Sequence, residues 1–149
     1  MGAATTPFTK KLMAVLTHRL SDEDQDTKSN AIYGVGLLCA KSDDEEEVLK
    51  NYPVILEKLE PMLPSENQQQ QQQQQDSKQP AQEARTLDNI AGCVSRLIAK
   101  HPDRVPLTLV LPRLVQIIPV REDYEENEAV FKMILQLCKS INLFESCRE

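Results

Sequence analysis

Tryptophan is absent from this 149-residue sequence, and aromatic residues of all kinds make up only 4% of it. That leaves little material for base-stacking platforms or aromatic cofactor boxes. Histidine occurs only at His18 and His101, and neither lies at zinc-ligand spacing from a cysteine or from the other, so no metal site is expected. The four cysteines, Cys39, Cys93, Cys138 and Cys147, form no C-x-x-C pair, and no signal peptide is read ahead of them. Free thiols in a reducing compartment are the expectation. No apolar run approaches the roughly 18 to 20 residues of a bilayer-crossing helix, which argues against membrane insertion. Neither a phosphate-cradling G-x-x-x-x-G-K-[ST] loop nor a G-x-S-x-G elbow is present, and no catalytic constellation assembles on paper. Neither an enzyme nor a cofactor is expected. Basic residues are also outnumbered, 17 Lys and Arg against 23 Asp and Glu, for a formal net charge of -6. An acidic chain repels phosphate backbones, which excludes nucleic acid as the expected partner and favours a basic protein.

What the sequence does contain is helical spacing. Val48, Leu49, Tyr52, Ile55, Leu56, Leu59, Met62 and Leu63 step by three and four and draw one apolar stripe. Five further segments follow the same rule: Phe8, Leu12, Val15, Leu16 and Leu20; Ile32, Val35, Leu38 and Cys39; Ile90, Val94, Leu97 and Ile98; Leu107 to Ile118; and Val130, Phe131, Ile134, Leu135 and Cys138. Acidic clusters at Asp22 to Asp26, Asp43 to Glu47 and Glu122 to Glu126 precede three of them, where carboxylates meet the unpaired amides of a helix start. Prolines mostly bracket the stripes and keep the helices short. Between Met62 and Arg85 the pattern gives way to a Gln run from Gln68 to Gln75, which has nothing apolar to bury and reads as a disordered loop.

The sequence also repeats itself. Asn30, Val35, Leu38, Ala40 and Lys41 recur as Asn89, Val94, Leu97, Ala99 and Lys100, and Pro53 recurs as Pro112 at the same offset. With the Gln-rich insert of roughly 18 residues set aside, the period is about 41, inside the window of HEAT and armadillo units. A weaker third copy places Asn127, Ala129 and Leu135 after Asn89, Ala91 and Leu97. The expected fold is therefore all-α, an α-α superhelix of about three helix pairs with a disordered Gln-rich loop. A helices are expected near 7–20, 47–63 and 106–119, and B helices near 26–42, 83–101 and 123–141. Residues 1–63 then hold the first pair and the second A helix, 64–82 the insert, 83–141 the remaining helices, and 142–149 a tail. B helices would line a concave face, so Asp26, Asn30, Asp88, Asn89, Glu126 and Asn127 are the candidates for an acidic, amide-bearing strip that binds Lys and Arg. The competing reading is that Asp26 and Glu126 merely favour helix starts, while Asn30 and Asn89 hydrogen-bond neighbouring helices inside the stack.

Three phrases sharpen the picture: Ser29-Asn-Ala-Ile-Tyr-Gly-Val-Gly-Leu-Leu-Cys39, Asp88-Asn-Ile-Ala-Gly-Cys-Val-Ser-Arg96 and Val120-Arg-Glu-Asp-Tyr-Glu-Glu-Asn-Glu128. From about Asp22 to Leu137 the chain resembles the C-terminal HEAT repeats of importin-β-type nuclear transport receptors. The resemblance implies carriage of basic cargo, such as ribosomal proteins and histones, through nuclear pores between cytoplasm and nucleus. It also implies contact with nucleoporins and GTP-bound Ran through parts of a receptor that lie outside this chain. Fold alone leaves two alternatives, a HEAT scaffold subunit of an unrelated complex and a truncated fragment without independent activity.

Overall fold

The computed structural model describes residues 6–65 and 81–146, with side chains described as far as Ser140. The expected disordered Gln-rich loop falls almost wholly outside the described residues. Six α-helices follow one another: α1 (Thr9–Arg19), α2 (Gln25–Lys41), α3 (Glu45–Leu59), α4 (Ala81–Lys100), α5 (Leu107–Leu114) and α6 (Asn127–Ser146). No strand occurs among the described residues. The helices pack in pairs, with α1, α3 and α5 as A helices and α2, α4 and α6 as B helices. The three B helices lie side by side, α2 against α4 and α4 against α6. The all-α paired architecture read from the repeat is the observed one.

Two helix starts carry a side-chain cap. Asp24 caps α2, its Oδ2 accepting the Thr27 N–H at 2.7 Å, and Asp44 caps α3, its Oδ1 accepting the Glu47 N–H at 3.2 Å. Both satisfy an amide that the helix itself cannot. Pro53 and Pro112 do not bracket helices but sit inside α3 and α5, each removing one backbone donor. Arg113 joins these two A helices by donating to the carbonyls of Glu60, Leu63 and Pro64, at 2.6, 2.8 and 2.8 Å. Those acceptors lie just beyond the end of α3, where carbonyls lack helical partners.

The core is built from the middle stripes as expected. Ile32, Val35, Leu38 and Cys39 of α2, Val48, Tyr52, Ile55 and Leu59 of α3, and Ile90, Val94, Leu97 and Ile98 of α4 are all buried. Tyr52 satisfies its hydroxyl on the Leu97 carbonyl at 3.3 Å. The first and last helices depart from expectation. In α1 the inward face is Thr9, Met13 and Thr17, while Phe8, Leu12 and Val15 are exposed. Two hydroxyls make that orientation tolerable: Thr9 pairs with Ser42 Oγ at 2.6 Å, and Thr17 donates to the Met13 carbonyl at 2.6 Å. In α6 the inward residues are Ala129, Val130 and Met133, and Phe131, Ile134 and Leu135 face outward. Of those two stripes Leu20 and Val130 are buried and Leu16 packs on the core, while the other members face outward, so the apolar spacing located both helices but only part of their inner faces.

Candidate functional site

The six residues singled out as a binding strip divide into two sets. Asp26 and Asn30 lie exposed one turn apart on α2, and Asn127 is half-buried at the start of α6. Asp88, Asn89 and Glu126 are buried. Asn89 sits as the packing reading has it, Asp88 and Glu126 are buried acids rather than surface caps, and each of the three has a distinct partner.

Asn89, on α4, donates from Nδ2 to Ser29 on α2, at 2.8 Å to Oγ and 3.3 Å to the carbonyl. The neighbouring B helix is thus fastened through the repeated Asn. Asn30 holds the equivalent position on α2, but no earlier B helix stands against it among the described residues, so the same residue type is solvent-facing there. Asp88 turns toward the following turn instead. Its Oδ2 accepts the N–H groups of Glu122 at 2.6 Å and Asp123 at 2.8 Å, and its Oδ1 accepts that of Arg121 at 3.1 Å. Three successive amides on one carboxylate fix the chain that leads into α6. Asp88→Ala would strip all three of their acceptor and is expected to cost about 2–4 kcal/mol, with Asp88→Asn losing less because one acceptor oxygen survives. Chemical denaturation of the two variants checks the order.

Glu126 is the most deeply placed of the set, fully buried at the end of a 3-10 turn, Tyr124–Glu126, that precedes α6. Burial pushes its carboxyl above the usual carboxylate range, against the opposing pull of Arg96. Arg96 of α4 meets it with two parallel bonds, Nη1 to Oε2 at 2.6 Å and Nη2 to Oε1 at 2.9 Å. The fork geometry matches guanidinium to carboxylate and leaves neither charge alone. The same guanidinium lies over the Tyr33 ring of α2, 5.5 Å from its centroid. Arg96 therefore touches all three B-helix levels. Sequence reading missed it, since its repeat counterpart is Leu37 and nothing in the spacing marks an arginine for burial.

Two glycines make room. A Cβ on Gly36 would sit 2.9 Å from the Cys93 Cα, so α2 and α4 approach backbone to backbone there. A Cβ on Gly92 would sit 1.2 Å from Glu126 Oε2, so the carboxylate occupies the space a side chain would need. The buried thiols Cys39 and Cys93 belong to the same packed layer. Burial pushes Cys39 up to about 12 and Cys93 well above the ordinary thiol value, which keeps both as un-ionised packing groups near neutrality. No group of side chains suited to a metal ion occurs among the described residues. Nor is any described helix long and apolar enough to cross a membrane.

A second feature lies on the B helices, beside the Arg96–Glu126 pair. A cavity of about 340 Å³ is lined by Leu37, Ala40 and Lys41 of α2, Arg96, Ala99 and Lys100 of α4, and Glu128, Ala129 and Lys132 of α6. No family model matches the chain. It is 36% identical over 141 residues to the probable importin subunit beta-4 of Schizosaccharomyces pombe, a match that takes in 94% of this chain and 12% of that protein. It is 31% identical over 140 residues to importin-4 of Homo sapiens, covering 94% of this chain and 11% of the human protein. The chain thus spans about one-eighth of the length of these relatives.

Proposed function

Because this chain is homologous to a segment of the importin-β family of nuclear import receptors, we propose that it contributes a cargo-binding surface for basic proteins carried between cytoplasm and nucleus. The homology carries the reading. Charge supports it: the chain has a formal net charge of -6, and the acids ahead of the B helices remain largely at the surface, with Glu23 and Asp26 at α2 and Glu122 and Glu125 before α6 exposed. Asp26 and Asn30, four residues apart on one helical face, offer a carboxylate and an amide to a Lys or Arg side chain. Asp88, Asn89 and Glu126 serve this surface by holding the B helices in register. Ribosomal proteins and histones are the cargo class that importin-β family membership favours, with nucleoporins and GTP-bound Ran engaged through other parts of a receptor.

Fluorescence anisotropy of a labelled Lys-rich peptide, titrated with the chain at low and high salt, tests the proposal. Saturable binding that weakens with salt is expected. Asp26→Lys combined with Glu125→Lys is expected to weaken it about tenfold, with an unchanged helical circular dichroism spectrum. Native affinity in that double variant would remove the acidic surface from consideration.

A further inference from the structure

The cavity between the B helices has the opposite sign to the chain as a whole. Four cations line it, Lys41, Arg96, Lys100 and Lys132, with Glu128 as the one carboxylate in its wall. Arg96 is spoken for by buried Glu126, and Lys132 pairs with Glu128. Lys100 donates to two carbonyls at the end of α2, Cys39 at 3.0 Å and Ser42 at 3.1 Å, and pairs with no carboxylate among the described residues. Lys41 is exposed, and among the described residues it acts on Glu128 through its charge rather than through a hydrogen bond or close ion pair. Two positive charges are therefore left over in one pocket. The repeat explains their meeting: Lys41 and Lys100 hold the same place on successive B helices, as do Ala40 and Ala99, so side-by-side packing sets them on one face.

We infer that this groove is a docking site for an acidic, partly apolar segment of a partner protein, with a carboxylate seated between Lys41 and Lys100. Three observations select that occupant. The floor is largely apolar, from Leu37, Ala40, Ala99 and Ala129, and so accepts aliphatic side chains beside a carboxylate. Leu135, 60% exposed, lies three residues beyond Lys132 on α6, a spacing that puts an apolar side chain next to that wall residue on the helix surface. Glu128 behaves as an anion in such a field should: its exposed carboxyl is held below the usual range by its bond to Lys132, then by the charges of Lys132, Lys41 and Arg96. A nucleic acid is the poorer fit, because only four of the chain's 17 Lys and Arg line the cavity, and the chain as a whole, at -6, repels a polyanion. The inference does not depend on the cargo surface proposed above, and it concerns a partner of opposite charge.

The test uses the full chain and a labelled 12-residue peptide of alternating Glu and Leu, followed by anisotropy. A Lys-rich peptide and a single-stranded oligonucleotide are titrated in parallel. The native chain binds the acidic peptide saturably. Lys41→Glu combined with Lys132→Glu weakens that binding about tenfold or more, with helicity retained and the Lys-rich peptide no worse bound. Both substitutions lie on exposed side chains, where loss of the Lys132–Glu128 pair has little effect on folding. No saturable binding by the native chain would overturn the inference, as would native affinity in the double variant or tighter binding of the oligonucleotide than of the peptide. Binding of the acidic peptide alongside failure of the Lys-rich one would sustain the groove and remove only the cargo reading.

Discussion

Gly92→Ala lowers the thermal midpoint of this chain by roughly 10 °C, even though alanine is the better helix former. In the helix interior the added methyl would ordinarily stabilise by about 0.5–1 kcal/mol. Here it would stand 1.2 Å from Glu126 Oε2 and 2.3 Å from the carboxyl carbon. The side chain of Glu126 is a flexible one, but it has nowhere to go: the residue is fully buried and both its oxygens are engaged by Arg96. Displacing it separates a buried ion pair, which costs about 3–5 kcal/mol. The net loss is about 2–4 kcal/mol after the helical gain is subtracted. A double-mutant cycle gives the sharpest check. In a Glu126→Ala background the methyl has an empty space to enter, so Gly92→Ala becomes neutral or stabilising there. Equal destabilisation in both backgrounds would mean that Gly92 is constrained by something other than the carboxylate.

The second large effect is that of Arg96→Met, expected to cost about 3–5 kcal/mol near neutral pH because it leaves Glu126 buried without its counter-charge. Its pH dependence identifies the cause. Burial already pushes the Glu126 carboxyl above the usual range with Arg96 in place, and removing the guanidinium removes the main opposing influence. A carboxyl raised in the folded state binds a proton there more readily than in the unfolded chain. The resulting stability is present at pH values below the ordinary carboxylate range and is lost as pH rises through the raised folded value. The gap between variant and native chain therefore narrows on acidification and widens toward neutrality. Urea denaturation of both proteins at pH 4.5 and pH 7, around the ordinary carboxylate range, measures that gap, and a gap independent of pH would assign the loss to packing instead. Glu126→Gln provides the complement, since it keeps the shape and removes the charge that titrates.

The fold was readable because helical stripes and a repeated phrase are local signals. Asn30 and Asn89, or Pro53 and Pro112, fall at one offset whatever their surroundings, and the paired helices follow from that offset. What the spacing could not convey was which surface a stripe faces. Phe8, Leu12 and Val15 form as good a stripe as Ile32, Val35 and Leu38, yet the first is exposed and the second buried. The difference lies in neighbours: α2 has α1 on one side and α4 on another, whereas the described residues put nothing over the outer face of α1.

The candidate site shows the same limit. Asp88 and Asp26 are both carboxylates near the start of a B helix region, and only the returning turn at residues 121–123 makes the former a buried acceptor. Glu126 belonged to an acidic run that read as a solvated helix start. Its burial depends on Arg96, 30 residues earlier, and on the missing side chain of Gly92. Both are contacts between repeats, so neither can be seen within one. The basic groove was hidden for a related reason. Lys41 and Lys100 were visible as matching letters of the repeat, but a net charge of -6 describes the whole chain and conceals a local excess of the other sign.

Arg96 and Arg113 also bear on mechanics. A stack of helix pairs is a spring, which bends by lengthening one rim and shortening the other. On the B-helix rim, Arg96 is fastened to Tyr33 at one level and to Glu126 at the next. On the A-helix rim, Arg113 clasps three carbonyls just past α3. With a guanidinium across each rim, parting the second and third levels breaks charged hydrogen bonds at both edges. A partner that bends this stretch must therefore break some of those bonds to do so.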